Sequence, residues 1–145
     1  MGRTASGVRG IRLSSDQRVI SLLTVDGEAA QHAVLIATEH GFGKRTKVAD
    51  FPCYGRGGQG VIAIQISERN GVVVGAELVG CDDEIMLITD SGNLVRTGVA
   101  GISIVGRNAQ GVTLIRLGGG ERLVEVERID GLNGEAGEPL PADEE

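Results

Sequence analysis

The chain has 145 residues, a formal net charge of −6 and only three aromatic side chains, Phe42, Phe51 and Tyr54. This length suits a single domain with a modest core, and a core built from Val, Ile and Leu favours the pleated packing of β-sheets. The sequence has no apolar run long enough to cross a membrane and no charged segment leading into an apolar one after Met1. It therefore predicts neither a transmembrane helix nor a signal peptide.

The negative charge is concentrated at the C-terminus. Residues 130–145 carry six carboxylates and no Lys or Arg, which leaves 14 acidic and 14 basic side chains in residues 1–129. Because the terminal segment has few apolar residues and two prolines, we predict that it forms a disordered acidic tail. The remaining body is neutral, so the overall charge does not exclude a polyanionic partner.

Two sequence patterns recur along the chain. The motif Gly-Arg-x-x-x-Gly-Val begins at Gly2, Gly55 and Gly106, and a strand-like alternating run follows it each time. A second pattern, an apolar strand followed by Thr, a carboxylate, one residue, Gly, three residues and Arg-Thr, begins at Leu35 and again 51 residues later at Met86. A period near 50 residues with several short strands per unit is typical of a propeller-like array.

The second repeat predicts four antiparallel strands that form one blade. Turns rich in Asp, Asn and Gly separate these strands, as expected for hairpins. Two repeats and half of a third are present, which would leave sheet edges unpaired, so we expect the chain to be the C-terminal end of a longer one. The predicted strands are residues 61–67, 72–79, 85–89 and 94–98.

The stretch "YGRGGQGVIAIQI" from Tyr54 contains a formal match to the nucleotide-binding pattern G-x-G-x-x-G. A dinucleotide fingerprint requires a strand before the glycines and a helix after them. Here a strand is predicted to follow, and the repeats at Gly2 and Gly106 lack the middle glycine. We therefore interpret the motif as a tight turn in which glycine permits unusual backbone angles, and which presents an Arg in every repeat.

Four longer phrases closely resemble the last part of the A subunit of bacterial DNA gyrase: "MGRTASGVRGIRL", "TEHGFGKRTKVADFP", "ERNGVVVGAELVGCDDEIMLITDSGNLVRT" and "ISIVGRNAQGVTLIRL". The resemblance covers residues 1–129. It implies an all-β fold, a β-pinwheel in which neighbouring blades exchange strands, with about two and a half to three four-stranded blades here. It also implies a domain that wraps double-stranded DNA. The family's Q-R-R-G-G-K-G box has a degenerate counterpart in "YGRGGQG", which keeps Arg56 but lacks two of the cations.

The same resemblance implies membership of an ATP-dependent type II topoisomerase that negatively supercoils DNA. In that enzyme two A subunits assemble with two B subunits, ATP and Mg are bound outside this region, and the nucleophilic tyrosine lies in the N-terminal half. We therefore expect no catalytic residue and no cofactor in this chain, and Tyr54 does not match the nucleophile. The implied location is the cytoplasm, on the chromosome and without membrane attachment. The alternatives are the A subunit of topoisomerase IV and a propeller that binds other proteins.

Wrapping without sequence readout depends on Lys and Arg that neutralise phosphates at equivalent places along a curved rim. The repeated cations are therefore the candidate DNA-binding residues, with a solvated or ion-paired arginine, for example one bound to Glu39 or Asp90, as the alternative for each. The acidic tail either competes with DNA, as in some members of the family, or only aids solubility. The candidates are Arg3, Arg56 and Arg107 in the Gly-Arg turns, Arg45 and Arg96 in the Arg-Thr pairs, Arg12 and Arg116 at matching strand positions, and Lys44 and Lys47 beside Arg45.

No other group of residues predicts an active site. The carboxylates of Asp82, Asp83 and Glu84 are expected to be solvated in a turn, and His32 and His40 lack partners at metal-ligand spacing. The two cysteines have neither metal spacing nor a disulfide framework, so we expect reduced thiols.

Overall fold

The computed structural model describes residues 7–25, 32–65 and 67–129. All strands in this part of the chain belong to two antiparallel sheets, joined by loops and by two short 3-10 turns. Arg3 and the predicted acidic tail at 130–145 lie outside the described residues. The strands are β1 Ala33–Thr38, β2 Phe42–Lys47, β3 Val73–Val79, β4 Glu84–Thr89, β5 Leu94–Gly98, β6 Val112–Thr113 and β7 Leu123–Ile129.

The strands do not fill the sheets in strict chain order, because β6 returns to the first sheet after β4 and β5 have entered the second. The first sheet has the order β3-β1-β2-β6 and the second has the order β5-β4-β7. The prediction that one repeat forms one blade is therefore wrong: each β-hairpin is completed by a strand from the next repeat. This is the strand exchange that the resemblance implies. The all-β, pinwheel-like fold class is confirmed.

The strand predicted over 61–67 is also absent from the described residues. Backbone groups of this segment bond to the third repeat instead: the carbonyl of Ile62 accepts a hydrogen bond from Arg107 at 2.9 Å, and the N–H of Gln65 donates to Ala109 O at 3.4 Å. The side chain of Ile64 is buried. Backbone groups satisfied in this way need no sheet ladder.

The two sheets repeat the same register. β1 and β4 begin 51 residues apart, and each pairs with a hairpin partner and with an exchanged strand. In both cases the pairing with the exchanged strand shifts at the end of the hairpin's first strand, between Ala37 and Thr38 and between Ile88 and Thr89. The period seen in the sequence is thus a period of the backbone geometry.

The core lies between the two sheets. Residues directly opposite each other in antiparallel strands share a face, and the face of the first sheet that carries Leu35 packs toward the second sheet. Apolar burial there supplies the main stabilising term. The buried cluster consists of Leu35, Ala37, Val79, Ile85, Leu87, Val99, Ile102, Leu123 and Val126.

The recurrent glycine before Val in the Gly-Arg motif has one backbone role. Gly7, Gly60 and Gly111 have φ angles of 96°, 83° and 96°, a region that costs other residues about 1–2 kcal/mol. At Gly111 a Cβ would also lie 2.5 Å from the carbonyl oxygen of Gly43 on β2. The glycines are explained by turn geometry and close strand approach, which agrees with the interpretation of the motif as a turn.

Candidate nucleic-acid interface

The predicted cations fall into two groups by exposure. Lys44 is fully buried, Arg45 has a relative exposure of 7%, and Arg107 is half-buried. The other five candidates within the described residues lie at the surface, where a phosphate can reach them. These exposed candidates are Arg12, Lys47, Arg56, Arg96 and Arg116.

Lys44 binds the Gly-Arg turn of the third repeat. Its side chain points from β2 to the carbonyl oxygens of Gly106 and Arg107, and Nζ donates to each at 2.6 Å. Burial, with a smaller contribution from the positive charge of Arg107, lowers the pKa of Lys44 to about 8. The prediction of DNA contact by Lys44 assumed an exposed side chain, and the structure instead makes this lysine a link between two repeats.

Arg45 is held in the interior beside the same segment. Its Nε donates to Ile102 O at 2.8 Å, its backbone N–H donates to Ser103 O at 3.1 Å, and its carbonyl accepts from Val105 N at 2.8 Å. Burial lowers the pKa of the Arg45 guanidinium, but an arginine still stays protonated at neutral pH. The side chain is therefore a buried cation and not part of an exposed basic rim.

Arg107 also connects repeats. Its Nε donates to the carbonyl of Asp50 and its Nη1 to the carbonyl of Ile62, each at 2.9 Å. Because Lys44 holds the backbone of this turn, the Gly106–Arg107 turn joins the third repeat to both earlier ones. Arg56, at the same position in the second repeat, is exposed. Its side chain has no hydrogen-bond or ion-pair partner within the described chain.

The alternative in which a recurrent arginine pairs with Glu39 or Asp90 is not found in the described part of the chain. The carboxylate of Glu39 accepts from the N–H of Val72 at 3.0 Å, and that of Asp90 accepts from the N–H of Arg122 at 3.1 Å. These carboxylates therefore fix the start of the exchanged strand in each sheet. Arg96 forms its ion pair with Glu84 across the β4–β5 hairpin.

The carboxylates of the 82–84 turn differ from the solvated cluster that we predicted. Asp83 is 8% exposed, and its Oδ2 accepts from Gly80 N at 2.8 Å and pairs with Arg128 at 3.3 Å. Within the described ranges, no three His, Cys, Asp or Glu side chains are grouped so as to hold a metal ion. None of the helical segments described there is long and apolar enough to span a bilayer.

Other basic residues were missed because they do not recur with the repeat. Arg9 and Arg18 are exposed and have no side-chain partner within the described ranges. Arg69 lies over the ring of Phe42 at 4.1 Å and donates to Gln110 and Gly111, so it serves packing. Only local charge, not periodicity, points to Arg9 and Arg18.

A model of the DNA gyrase C-terminal domain, a beta-propeller, matches residues 1–26, 32–79 and 83–130 of this chain. The chain belongs to the DNA gyrase C-terminal domain family. This confirms the family inferred from the sequence, and the two interlocked antiparallel sheets are the part of the gyrase propeller that these residues build.

Curated relatives of this gyrase domain are much longer proteins. The DNA gyrase A subunit of Salmonella typhimurium is 53% identical over 129 residues, which is 89% of this chain and 14% of that protein. The corresponding subunit of Pseudomonas aeruginosa is 52% identical over 145 residues, 100% of this chain and 15% of that protein. The chain thus spans about one seventh of the length of the curated relatives that it matches.

Solved structures agree on the gyrase fold. A DNA gyrase A C-terminal domain superposes with a TM-score of 0.64 at 31% identity and covers 67% of this chain and 33% of that chain. A C-terminal domain of DNA topoisomerase IV gives a TM-score of 0.74 over 86% of this chain and 38% of that chain, at 21% identity. The second likeness shows only that the fold is shared.

Proposed function

We propose that this chain binds duplex DNA through the phosphate backbone and supports DNA wrapping as part of the A subunit of DNA gyrase. In this proposal the parent enzyme is the ATP-dependent type II topoisomerase that negatively supercoils DNA. It assembles from two A and two B subunits on the cytoplasmic chromosome, ATP and magnesium are held elsewhere in it, and this chain contributes binding but no catalytic residue.

Family membership is the observation that carries the proposal, and the exposed cations supply a physical basis. Arg12, Arg56 and Arg116 belong to the recurrent positions, lie at the surface, and have no side-chain partner in the described part of the chain. Their guanidinium groups are therefore free to neutralise phosphates and release counterions. Lys47 is likewise exposed and has no side-chain partner in the described ranges. Contacts of this kind position a duplex without reading its sequence.

A group of acidic side chains on β3 and β7 indicates where the duplex should not bind. Glu125 and Glu127 lie two residues apart on β7, and the hydrogen bond and charge of Glu125 raise the pKa of Glu127. Burial raises the pKa of Glu77 on β3, with Arg128 opposing and Glu125 adding to the shift. Such a patch repels phosphate, so we expect the duplex to follow the cationic positions and to avoid β7.

A filter-binding titration of duplex DNA across salt concentrations tests the proposal. The wild-type affinity should fall steeply with salt, with a log-log slope of about −0.9 for each phosphate contacted. Replacing Arg12, Arg56 and Arg116 together by Gln should make that slope shallower. A variant with Arg69, Arg122 and Arg128 changed to Gln loses the same charge from residues that already have partners, and it should keep a slope near that of the wild type.

A flat salt response of the wild-type chain would contradict the proposal and favour the protein-binding alternative. Equal loss of slope in the two triple variants would mean that net charge, and not these positions, governs binding. Supercoiling and relaxation assays on the full-length parent protein distinguish gyrase from topoisomerase IV: negative supercoiling by the assembled enzyme is the expected result.

A further inference from the structure

A cavity of about 290 Å³ lies at one end of the first sheet, where β1 begins and β2 and β3 end. This volume exceeds many times the roughly 30 Å³ that one water occupies in the liquid. The exposed residues Lys47 and Cys81 stand among the lining residues, so the cavity opens to solvent. It is lined by His32, Ala33, Arg45, Lys47, Val79, Cys81 and Ile104.

The cavity contains a buried cation that lacks a counterion. Arg45 is 7% exposed, only its Nε has a side-chain hydrogen bond, to Ile102 O, and no carboxylate in the described ranges forms an ion pair with it. Its two terminal amino groups have no partner there either. Buried charges in proteins are normally paired and fully hydrogen-bonded, so the free side of this guanidinium has unused binding capacity for an anion.

The charge of the lining points to the same ligand. His32 lies in the lining, so its imidazole reports on what binds there. Lys47 adds a second positive charge, and no carboxylate lines the cavity. The nearby Asp83 is engaged with Gly80 and with Arg128. The planar fork of Arg matches a tetrahedral oxyanion, to which it donates two parallel hydrogen bonds.

We propose that this cavity is an oxyanion site that takes a phosphate group, held by the Arg45 guanidinium with Lys47 at its mouth. As a part of DNA wrapping this rests on the proposed function: in the complex the site holds one backbone phosphate. Arg45 thus contacts DNA within a preformed cavity, whereas Arg12, Arg56 and Arg116 contact it at the surface.

Titration of the full chain with inorganic phosphate tests the site without DNA. The imidazole signals of His32 and His40 are followed by NMR at constant ionic strength against chloride. Saturable movement of the His32 signals is expected. The signals of His40, whose Nδ1 contacts the carbonyls of Glu68 and Arg69, should stay fixed. A His32 response that is absent, or no stronger than that of His40, would overturn the site.

Variants locate the phosphate on Arg45. Arg45→Gln should weaken phosphate binding by about tenfold or more, because charge-assisted hydrogen bonds are lost. Since Arg45 also bonds Ile102, Cys81→Glu provides a second variant that keeps the guanidinium and places a carboxylate in the cavity. Cys81→Glu should compete with phosphate and weaken its binding by more than Cys81→Gln, which has the same size without the charge. Equal affinities for the two Cys81 variants would refute the assignment.

Duplex DNA distinguishes the site from the wrapping function. Cys81→Glu should reduce the magnitude of the salt slope by about 0.9, one phosphate contact, relative to Cys81→Gln. Val124→Glu, at an exposed position of β7, adds the same negative charge elsewhere and should reduce the slope less. If the His32 titration succeeds but the wild type does not bind DNA, the site stands and the proposed function fails. If DNA binds but the Cys81 pair has equal slopes and phosphate leaves His32 unmoved, only the site fails.

Discussion

Arg45 and Arg96 occupy the same place in the repeat, yet one is buried and the other is exposed. Arg45 on β2 is covered by residues 102–107, which bond to its backbone and to its Nε. Arg96 on β5 has no such cover in the described part of the chain and pairs at the surface with Glu84. The surroundings of a repeated cation are therefore set by the segment of a later repeat that packs on its strand, not by its own motif.

The position just before these arginines shows the same difference. Lys44 on β2 donates to the Gly106–Arg107 turn, whereas its counterpart on β5 is Val95, which is 36% exposed. The first sheet thus uses a buried ammonium to hold the next turn, and the second sheet has an apolar surface at that point. Removing or weakening the cover over β2 should therefore damage the first sheet and spare the second.

The largest loss of stability is expected from Gly111→Ala, which disturbs the third-repeat segment where it packs on β2. A Cβ at Gly111 lies 2.5 Å from Gly43 O on β2 and also meets a φ of 96°. The positive φ should lower the free energy of unfolding by about 1–2 kcal/mol and the clash by about 1–3 kcal/mol more. Urea unfolding measures this loss. Gly60→Ala has the same backbone strain, but its nearest atom is the side-chain Cδ1 of Ile11 at 3.6 Å. Equal losses in the two variants would contradict a specific approach to β2.

Lys44→Met should have the next largest effect. The carbonyls of Gly106 and Arg107 lose their donor, which should lower the free energy of unfolding by about 2 kcal/mol. Val95→Met, the matched change on β5, should stay within about 0.5 kcal/mol of the wild type. A Lys44→Met chain as stable as the wild type would show that the ammonium does not hold the turn.

The Lys44 variant also carries a pH signature. The folded pKa of Lys44 is lowered to about 8 from 10.5, so between these values the unfolded chain binds more protons than the folded chain. The stability of the wild type relative to Lys44→Met should therefore rise as pH increases from 8 towards 10.5, and be constant below that window. Unfolding titrations of both proteins across the window measure it, and a difference that is constant or falls would contradict the assigned shift.

A smaller loss of stability is expected from Glu121→Gln, beside the β4–β5 hairpin turn of the second sheet. Glu121 accepts hydrogen bonds from Ser91 and, at 2.8 Å, from Asn93 Nδ2. These bonds, led by the one from Ser91, lower the pKa of Glu121 to about 2. The advantage of the wild type over Glu121→Gln should be present above pH 4.5 and disappear as the pH falls through 2. Thermal unfolding of both proteins against pH measures it, and a wild-type advantage that does not change across this range would contradict the assigned shift.

The smallest effect on stability is expected from Arg96→Gln. Its ion pair with Glu84 is exposed, and such pairs contribute about 0–1 kcal/mol. The same variant should reduce the magnitude of the salt slope of duplex binding by about 0.9 if Arg96 exchanges Glu84 for a phosphate. A large loss of stability would mean that Arg96 supports the fold of its sheet as Lys44 does, and the contrast between the sheets would disappear.

The sequence predicted the local elements well and their partners poorly. The predicted ends of β3, β4 and β5 all lie within one residue of the observed ends, because Val- and Ile-rich runs between Gly- and Asp-rich turns fix them locally. The repeat pattern alone did not predict that β3 leaves its own repeat to pair with β1, since adjacent strands usually pair; only the family resemblance implied this exchange. The run at 61–67 shares the strand-like composition, but its backbone bonds to the third repeat.

The candidate site was predicted by periodicity, which identifies equivalent positions but not their surroundings. Lys and Arg are almost never fully buried unless they are paired, so an interior position for Lys44 or Arg45 was not expected from their residue types. The strand "FGKRTK" does not alternate between polar and apolar residues, and its four central residues are all buried. The lack of alternation was the signal available in the sequence, and it indicated that both faces of this strand are covered.

Strand exchange makes successive repeats structurally equivalent, because each hairpin accepts the same kind of strand from the repeat that follows. β7 follows β3 by 50 residues and meets β4 with the same bulge that β3 makes with β1. Excising residues 55–105 would therefore bring β7 within reach of β1 at nearly the original spacing, with each turn still facing a suitable hairpin. Such an architecture can be lengthened or shortened by whole units through duplication or loss, and no new junction has to be invented.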